Sequence, residues 1–183
     1  MNVNDLTPLL KRLKLGQMLP TLPERIALAR RDSLDYVAFL EAILSDEVNR
    51  RDVKRLRTRL EKAGFEQICS LEDFDRGADI AVDRRLIDAV FALEFLQRSE
   101  HVLLVGPVGA GKSFMAQALG YAAVKSGYSV RFARADRFFG DMAGARLDTT
   151  LERTFRSYLA PDLPILRRPG AAAPRPAAVD RLL

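Results

Sequence analysis

The run Gly106-Pro107-Val108-Gly109-Ala110-Gly111-Lys112-Ser113 fits the pattern G-x-x-x-x-G-K-[ST] without deviation. The chemistry it offers is phosphate recognition. Glycines let the chain curl so that successive backbone amides point inward at the positive end of the helix that follows, forming a nest for a β-phosphate. Lys112 can reach the β- and γ-phosphate oxygens as a point charge, and the Ser113 hydroxyl is placed to ligand magnesium. These residues, Ser113 included as the metal ligand, form a candidate site for ATP, with GTP as the alternative, and Mg2+. The competing reading is a glycine-rich turn with a coincidental Lys-Ser pair. The position of the motif between a strand-like and a helix-like segment argues against it.

The elements that must hold the loop are legible on either side. His101 to Val105 is a short apolar run ending at glycine, as expected for a buried parallel strand. Phe114 to Lys125 forms the following helix, with Met115, Ala118, Leu119 and Ala122 as its packing face, and Tyr128 to Phe132 alternates like the next strand. Upstream, residues 1–65 read as helices alone. Thr7-Pro8 is an N-cap and first-turn pair, with Leu9, Leu10 and Leu13 on one face; Ser33 is the expected cap of a long helix. That helix carries Val37, Leu40, Leu44 and Val48 at helical spacing, continues through Val53, Leu56, Leu60 and Ala63, and ends at Gly64. Residues 66–82 form a connector. Asp83 caps a helix bearing Ile87, Val90, Phe91 and Phe95, and a Thr149/Glu152 capping box opens one bearing Leu151, Phe155, Tyr158 and Leu159.

Composition narrows the function. In 183 residues, 48% are hydrophobic and 29% charged, and no apolar run approaches the ~18 residues of a membrane helix. The N-terminus lacks the basic start and apolar stretch of a secretory signal, so a cytoplasmic protein is expected. Cys69 is the one cysteine, which excludes an internal disulfide. The net charge of +5 permits a polyanionic partner. Arg51, Arg55, Arg59 and Lys62 line one side of the long helix, either as a solvated face partly neutralised by Asp52 and Glu61 or as a contact to the DNA backbone. His101, the single histidine, precedes its strand and so lies at the wrong end of a sheet for catalysis.

Taken in series, these residues resemble the IstB-like ATP-binding proteins, transposition helpers of bacterial insertion sequences related to the DnaC helicase loaders. The resemblance runs from Leu6 to Ile165. It rests on Glu47, Arg50 and Arg51, the segment Ser70 to Asp75, Asp83-Arg84-Arg85, the run Val102 to Ser113, Ala118 to Ala123, and Gly127 to Phe132. It implies an AAA+ ATPase core behind a helical N-terminal domain, assembling as an oligomer on DNA and acting on a partner transposase. The same resemblance assigns Gly106, Gly109, Gly111, Lys112 and Ser113 to the nucleotide phosphates and magnesium.

The expected fold is therefore α/β: a helical N-terminal domain (1–65), the connector (66–82), a partial P-loop domain with a parallel sheet (83–166), and a tail (167–183). The tail is Ala-, Pro- and Arg-rich and reads as disordered. One departure from the family pattern concerns catalysis. Where a strand should end in the acidic Walker B pair, the chain reads Asp162-Leu163-Pro164-Ile165-Leu166-Arg167-Arg168, and Pro164 would remove a ladder bond from a central strand. The pattern would continue for ~80 more residues, supplying later strands, a sensor and an arginine finger. The expectation is thus a truncated or frameshifted member with hydrolysis impaired. Rival readings are a helicase-loader ATPase, a non-catalytic DNA-binding or assembly fragment, and a small-molecule kinase with Arg131, Arg134 and Arg137 as its lid.

Overall fold

The computed structural model describes residues 3–73 and 83–168, so most of the expected connector and tail lies outside the described residues. Helices dominate, and the chain divides into two compact units, Met1–Arg57 and Thr58–Leu183.

In the first unit, α1 (Thr7–Arg12) and α2 (Leu22–Arg31) precede a long α3 (Tyr36–Ala63), whose last turns belong to the second unit. The core is Met18, Leu22 and Ile43, with Leu6, Leu10, Leu15, Ile26 and Phe39 packed on it. The apolar stripe Val37, Leu40, Leu44 and Val48 is exposed, Val37 at 75%. Helical spacing marks two apolar faces on α3, and polar contacts decide between them. Arg25 of α2 holds Asp46 bidentately at 2.6 and 2.8 Å, turning the Phe39/Ile43 face inward. On that face Glu47 is buried and accepts from Arg50 Nε and Arg51 Nε, both at 2.7 Å. The Arg50 hydrogen bond, aided by Arg51 and opposed by burial, holds the Glu47 carboxyl down to about 2. Leu9 of α1 and Leu13 just after it are likewise exposed, leaving Leu10 to face the core.

The caps also differ in part. Ser33 sits at φ 51° and Asp35 caps α3 instead, its Oδ1 accepting from Ala38 N at 2.7 Å. Thr149 at φ 61° is left-handed and cannot open a capping box; Asp148 Oδ1 accepts from Thr150 N. Thr7 is the first residue inside α1 rather than its cap; the cap position is Leu6, which makes no side-chain capping bond. Asp83 caps as expected, accepting from Arg85 N at 2.9 Å, and Gly64 (φ 71°) ends α3.

The second unit follows with α4 (Arg84–Phe91) and α5 (Glu94–Gln97), separated where Leu93 turns left-handed. Then come α6 (Lys112–Lys125), β1 (Val130–Arg134), α7 (Ala135–Leu147), α8 (Leu151–Leu159) and β2 (Leu163–Arg167). The two strands pair in parallel, from Val130 opposite Leu163 to Arg134 opposite Arg167. Asp162 sets this register: its Oδ2 accepts from both Ser129 N and Ser129 Oγ at 2.7 Å, joining the starts of the strands. Behind the sheet, Tyr158 is buried, donates to Asp141 at 2.5 Å, and lies under the Arg131 guanidinium at 3.7 Å.

Two expectations about strands need correction. His101–Val105 forms no strand, and Leu103 is 85% exposed; a strand exists through ladder bonds to neighbours, and among the described residues β1 and β2 pair only with each other. Pro164, in turn, does not break β2. Leu163 N donates to Ser129 O at 3.0 Å, so Leu163, Ile165 and Arg167 address β1 while Pro164 turns toward the open edge, where no ladder donor is needed.

Candidate functional site

The loop takes the conformation that its glycines permit. Gly109 (φ 88°) and Gly111 (φ 74°) are both left-handed, and Gly111 N donates to Gly109 O at 2.8 Å, which tightens the curl. Gly111 is the N-cap of α6, so Lys112 and Ser113 open a 14-residue helix and its unpaired amides face the loop. Lys112 Nζ is folded back onto the Pro107 carbonyl. An incoming phosphate would exchange that neutral acceptor for a charged one. Ser113 is buried at 9% exposure, while residues 106–109 of the loop are exposed.

A tight connection, Ser126 to Ser129, joins α6 to β1. The helix therefore runs antiparallel to the strands and its N-terminus lies toward their carboxyl ends, where α/β folds bind ligands. A chain of contacts reaches from there to Ser113. Arg167, at the end of β2, donates from Nη1 to Glu66 Oε2 at 2.5 Å, and the adjacent Gln67 N donates to Gln117 Oε1 at 2.9 Å. Gln117, 1% exposed, donates onward from Nε2 to Ser113 O at 3.4 Å. Sequence reasoning passed over Glu66, Gln67 and Gln117; the one available signal was a glutamine inside the apolar run Met115 to Leu119.

Of the basic residues expected to meet DNA, Arg51 is bound to Glu47 and to Lys14 O, and Arg55 is 67% exposed beside Asp52 at 3.2 Å. Arg59 is half-buried, close to Gly127, and Lys62 is exposed. Arg131 is stacked on Tyr158 and Arg134 is bound to Asp136, so neither is arranged as a kinase lid. Asp162 serves the strand register, and His101 is exposed. Burial pushes the Cys69 thiol up, away from thiolate chemistry. Among the described residues no cluster of three His, Cys, Asp or Glu side chains converges as a metal site.

Comparison with known proteins is decisive. The model of the IstB-like ATP binding protein family matches residues 8–175. The chain belongs to this family. An IstB-like relative, named as an ATP-binding protein in an insertion sequence of Mycobacterium tuberculosis, is 40% identical over 157 residues, which cover 86% of this chain and 62% of the relative. The ATP-binding protein of insertion sequence IS21 from Pseudomonas aeruginosa is 34% identical over 82% of this chain and 57% of its own length. That of IS1162 from Pseudomonas fluorescens is 33% identical over 90% and 71%. The chain thus spans about three fifths of the first two relatives. The mostly helical architecture with a small parallel sheet accords with an IstB-like P-loop domain. No helix among the described residues is long and apolar enough to cross a membrane.

Proposed function

We propose that this chain is an ATP-binding helper of insertion-sequence transposition, with Gly106, Pro107, Val108, Gly109, Ala110, Gly111, Lys112 and Ser113 as the nucleotide site. The observation that carries the reading is the left-handed Gly109–Gly111 curl at the start of α6, within a chain whose relatives are named for ATP binding in insertion sequences. Those names favour transposition over helicase loading. Titration of the purified chain with ATP tests the reading directly, and absence of binding at millimolar nucleotide would end it.

Hydrolysis is a separate matter. Phosphoryl transfer needs acids that hold magnesium and orient the attacking water. At the carboxyl ends of β1 and β2 stand Arg134 and Arg167, and the carboxylates beside them, Asp136 and Glu66, are each bound to an arginine. Among the described residues, Ser113 is the one expected magnesium ligand at hand. The expected result is no phosphate release above a Lys112→Ala control; turnover that vanishes in that variant would refute the claim.

The helical half is proposed to contact DNA and to serve assembly with further copies and with a transposase. Because Arg51 is committed to Glu47 and Lys14 O, the exposed Arg55 and Lys62 carry the contact. Replacing both by Ala should lower DNA affinity and flatten the slope of log affinity against log salt by roughly 2, about one unit for each phosphate no longer neutralised. An unchanged slope would show a merely solvated face.

A further inference from the structure

Gln117 is a polar residue on the buried face of α6. Ala118 and Leu119 beside it are buried and apolar, and at 1% exposure its amide sits where a polar group has to be hydrogen-bonded. Both ends of the amide are. Nε2 donates to Ser113 O within the helix at 3.4 Å, and Oε1 accepts at 2.9 Å from Gln67 N, fifty residues earlier in the chain. The first bond travels with the helix, whereas the second ties the helix to its surroundings.

The partner of that tie is the stretch of chain just after α3. Phe65 rests on Phe132 of β1 with ring centroids 6.1 Å apart, and Glu66 accepts from Arg167 at the end of β2 at 2.5 Å. Phe65 also lies against α6 at Gly120, where an added Cβ would stand 2.7 Å from its ring. Residues 65–67 thus brace α6 against the sheet, and Gln67 meets the helix at Gln117, one turn beyond Ser113. The brace matters because the other side of the loop lacks comparable support. The run 101–105 that leads into the loop makes no ladder bond among the described residues, and Leu103 and Val105 are exposed. The aim of residues 106–113 is therefore set by the head of α6.

We propose that Gln117 is a positioning residue for the nucleotide site: its bond to Gln67 N clamps the head of α6, so that Lys112, Ser113 and the loop amides are held ready for a polyphosphate. This rests on the P-loop reading above and adds to it a residue outside the motif. Without the clamp the head of α6 can shift, and apparent affinity falls with the fraction of molecules in which the phosphate donors converge. ATP is titrated into the full chain and into Gln117→Met, whose unbranched side chain fills the space but makes neither bond. The expected loss of affinity is about tenfold, the scale of leaving a buried donor unpaired. Val124→Ala, at a fully buried position near the other end of α6, removes packing instead and should leave affinity within about twofold of the parent. Gln67→Pro deletes the donor N–H from the other side and should weaken binding alike, with no further loss when combined with Gln117→Met, because both remove one bond. Coupling is reciprocal, so saturating ATP should slow hydrogen exchange at the Gln67 amide of the unmodified chain, a measurement that needs no variant to fold. Gln117→Met losing no more affinity than Val124→Ala, or a Gln67 amide whose exchange ATP leaves unchanged, overturns the inference while the P-loop reading stands. A parent chain that binds no ATP removes both.

Discussion

Replacing Lys112 by Ala should weaken ATP binding by about tenfold or more. The ammonium is at the first position of α6 and bonds to the Pro107 carbonyl, within the loop that would receive the phosphates. Moving it onto a phosphate oxygen replaces a neutral acceptor by a charged one, an interaction worth ~1.5 to 3 kcal/mol, and each 1.4 kcal/mol is a factor of ten in affinity. Removal of the side chain should leave the fold unchanged, because the left-handed Gly109 and Gly111 shape the loop through the backbone. Calorimetric titration of both proteins with ATP reads the difference. Equal affinities would take Lys112 out of the site.

What could be read from the sequence was local chemistry. The candidate loop of residues 106–113 is contiguous, and its glycines allow the curl without help from distant residues; the Asp83 cap and the glycine stop at Gly64 are likewise local. Tertiary choices were not legible. The α3 helix offers two apolar faces, and the Arg25–Asp46 pair and the Arg51 bond to Lys14 O, which join residues far apart in sequence, go with Ile43 inside while Val37 and Leu40 stay out. His101 to Val105 has the composition of a buried strand, yet composition does not supply a ladder partner. Pro164 looked disruptive because a sequence does not say which edge of a strand faces its neighbour. Helix α7 escaped notice altogether: Phe138 and Phe139 are adjacent, which obscures a helical period, and Phe138 finds its partner in Tyr158 of α8 at 4.9 Å between ring centroids. The Arg167–Glu66 pair that shapes the candidate site joins residues a hundred positions apart.

Gly120 offers the most direct test of how α6 is seated, and through it of how the loop is aimed. It is buried in the middle of α6, where glycine costs ~1 kcal/mol of helix stability relative to alanine, so Ala would stabilise an isolated helix. In the folded unit a Cβ here would stand 2.7 Å from Phe65 Cε1 and 2.9 Å from Ile165 Cδ1. The isoleucine terminus can swing aside. The phenylalanine ring cannot easily do so, since it is held against Phe132 with centroids 6.1 Å apart. Overpacking of this kind costs ~1 to 3 kcal/mol. The clash should outweigh the propensity gain for Gly120→Ala, lowering the urea midpoint modestly, and Gly120→Val should lower it further because its branched carbon adds bulk at the same point. Phe65→Leu in the Gly120→Ala background should recover part of the stability, a coupling expected only if the two side chains compete for one space. Pushing α6 away from the sheet should also disturb the hydrogen bond that Gln117 Oε1 accepts from Gln67 N, outside the helix, and ATP affinity should fall along with stability. A Gly120→Ala protein more stable than the parent would mean that helix propensity rules at this position and that α6 does not pack on β2 as closely as described.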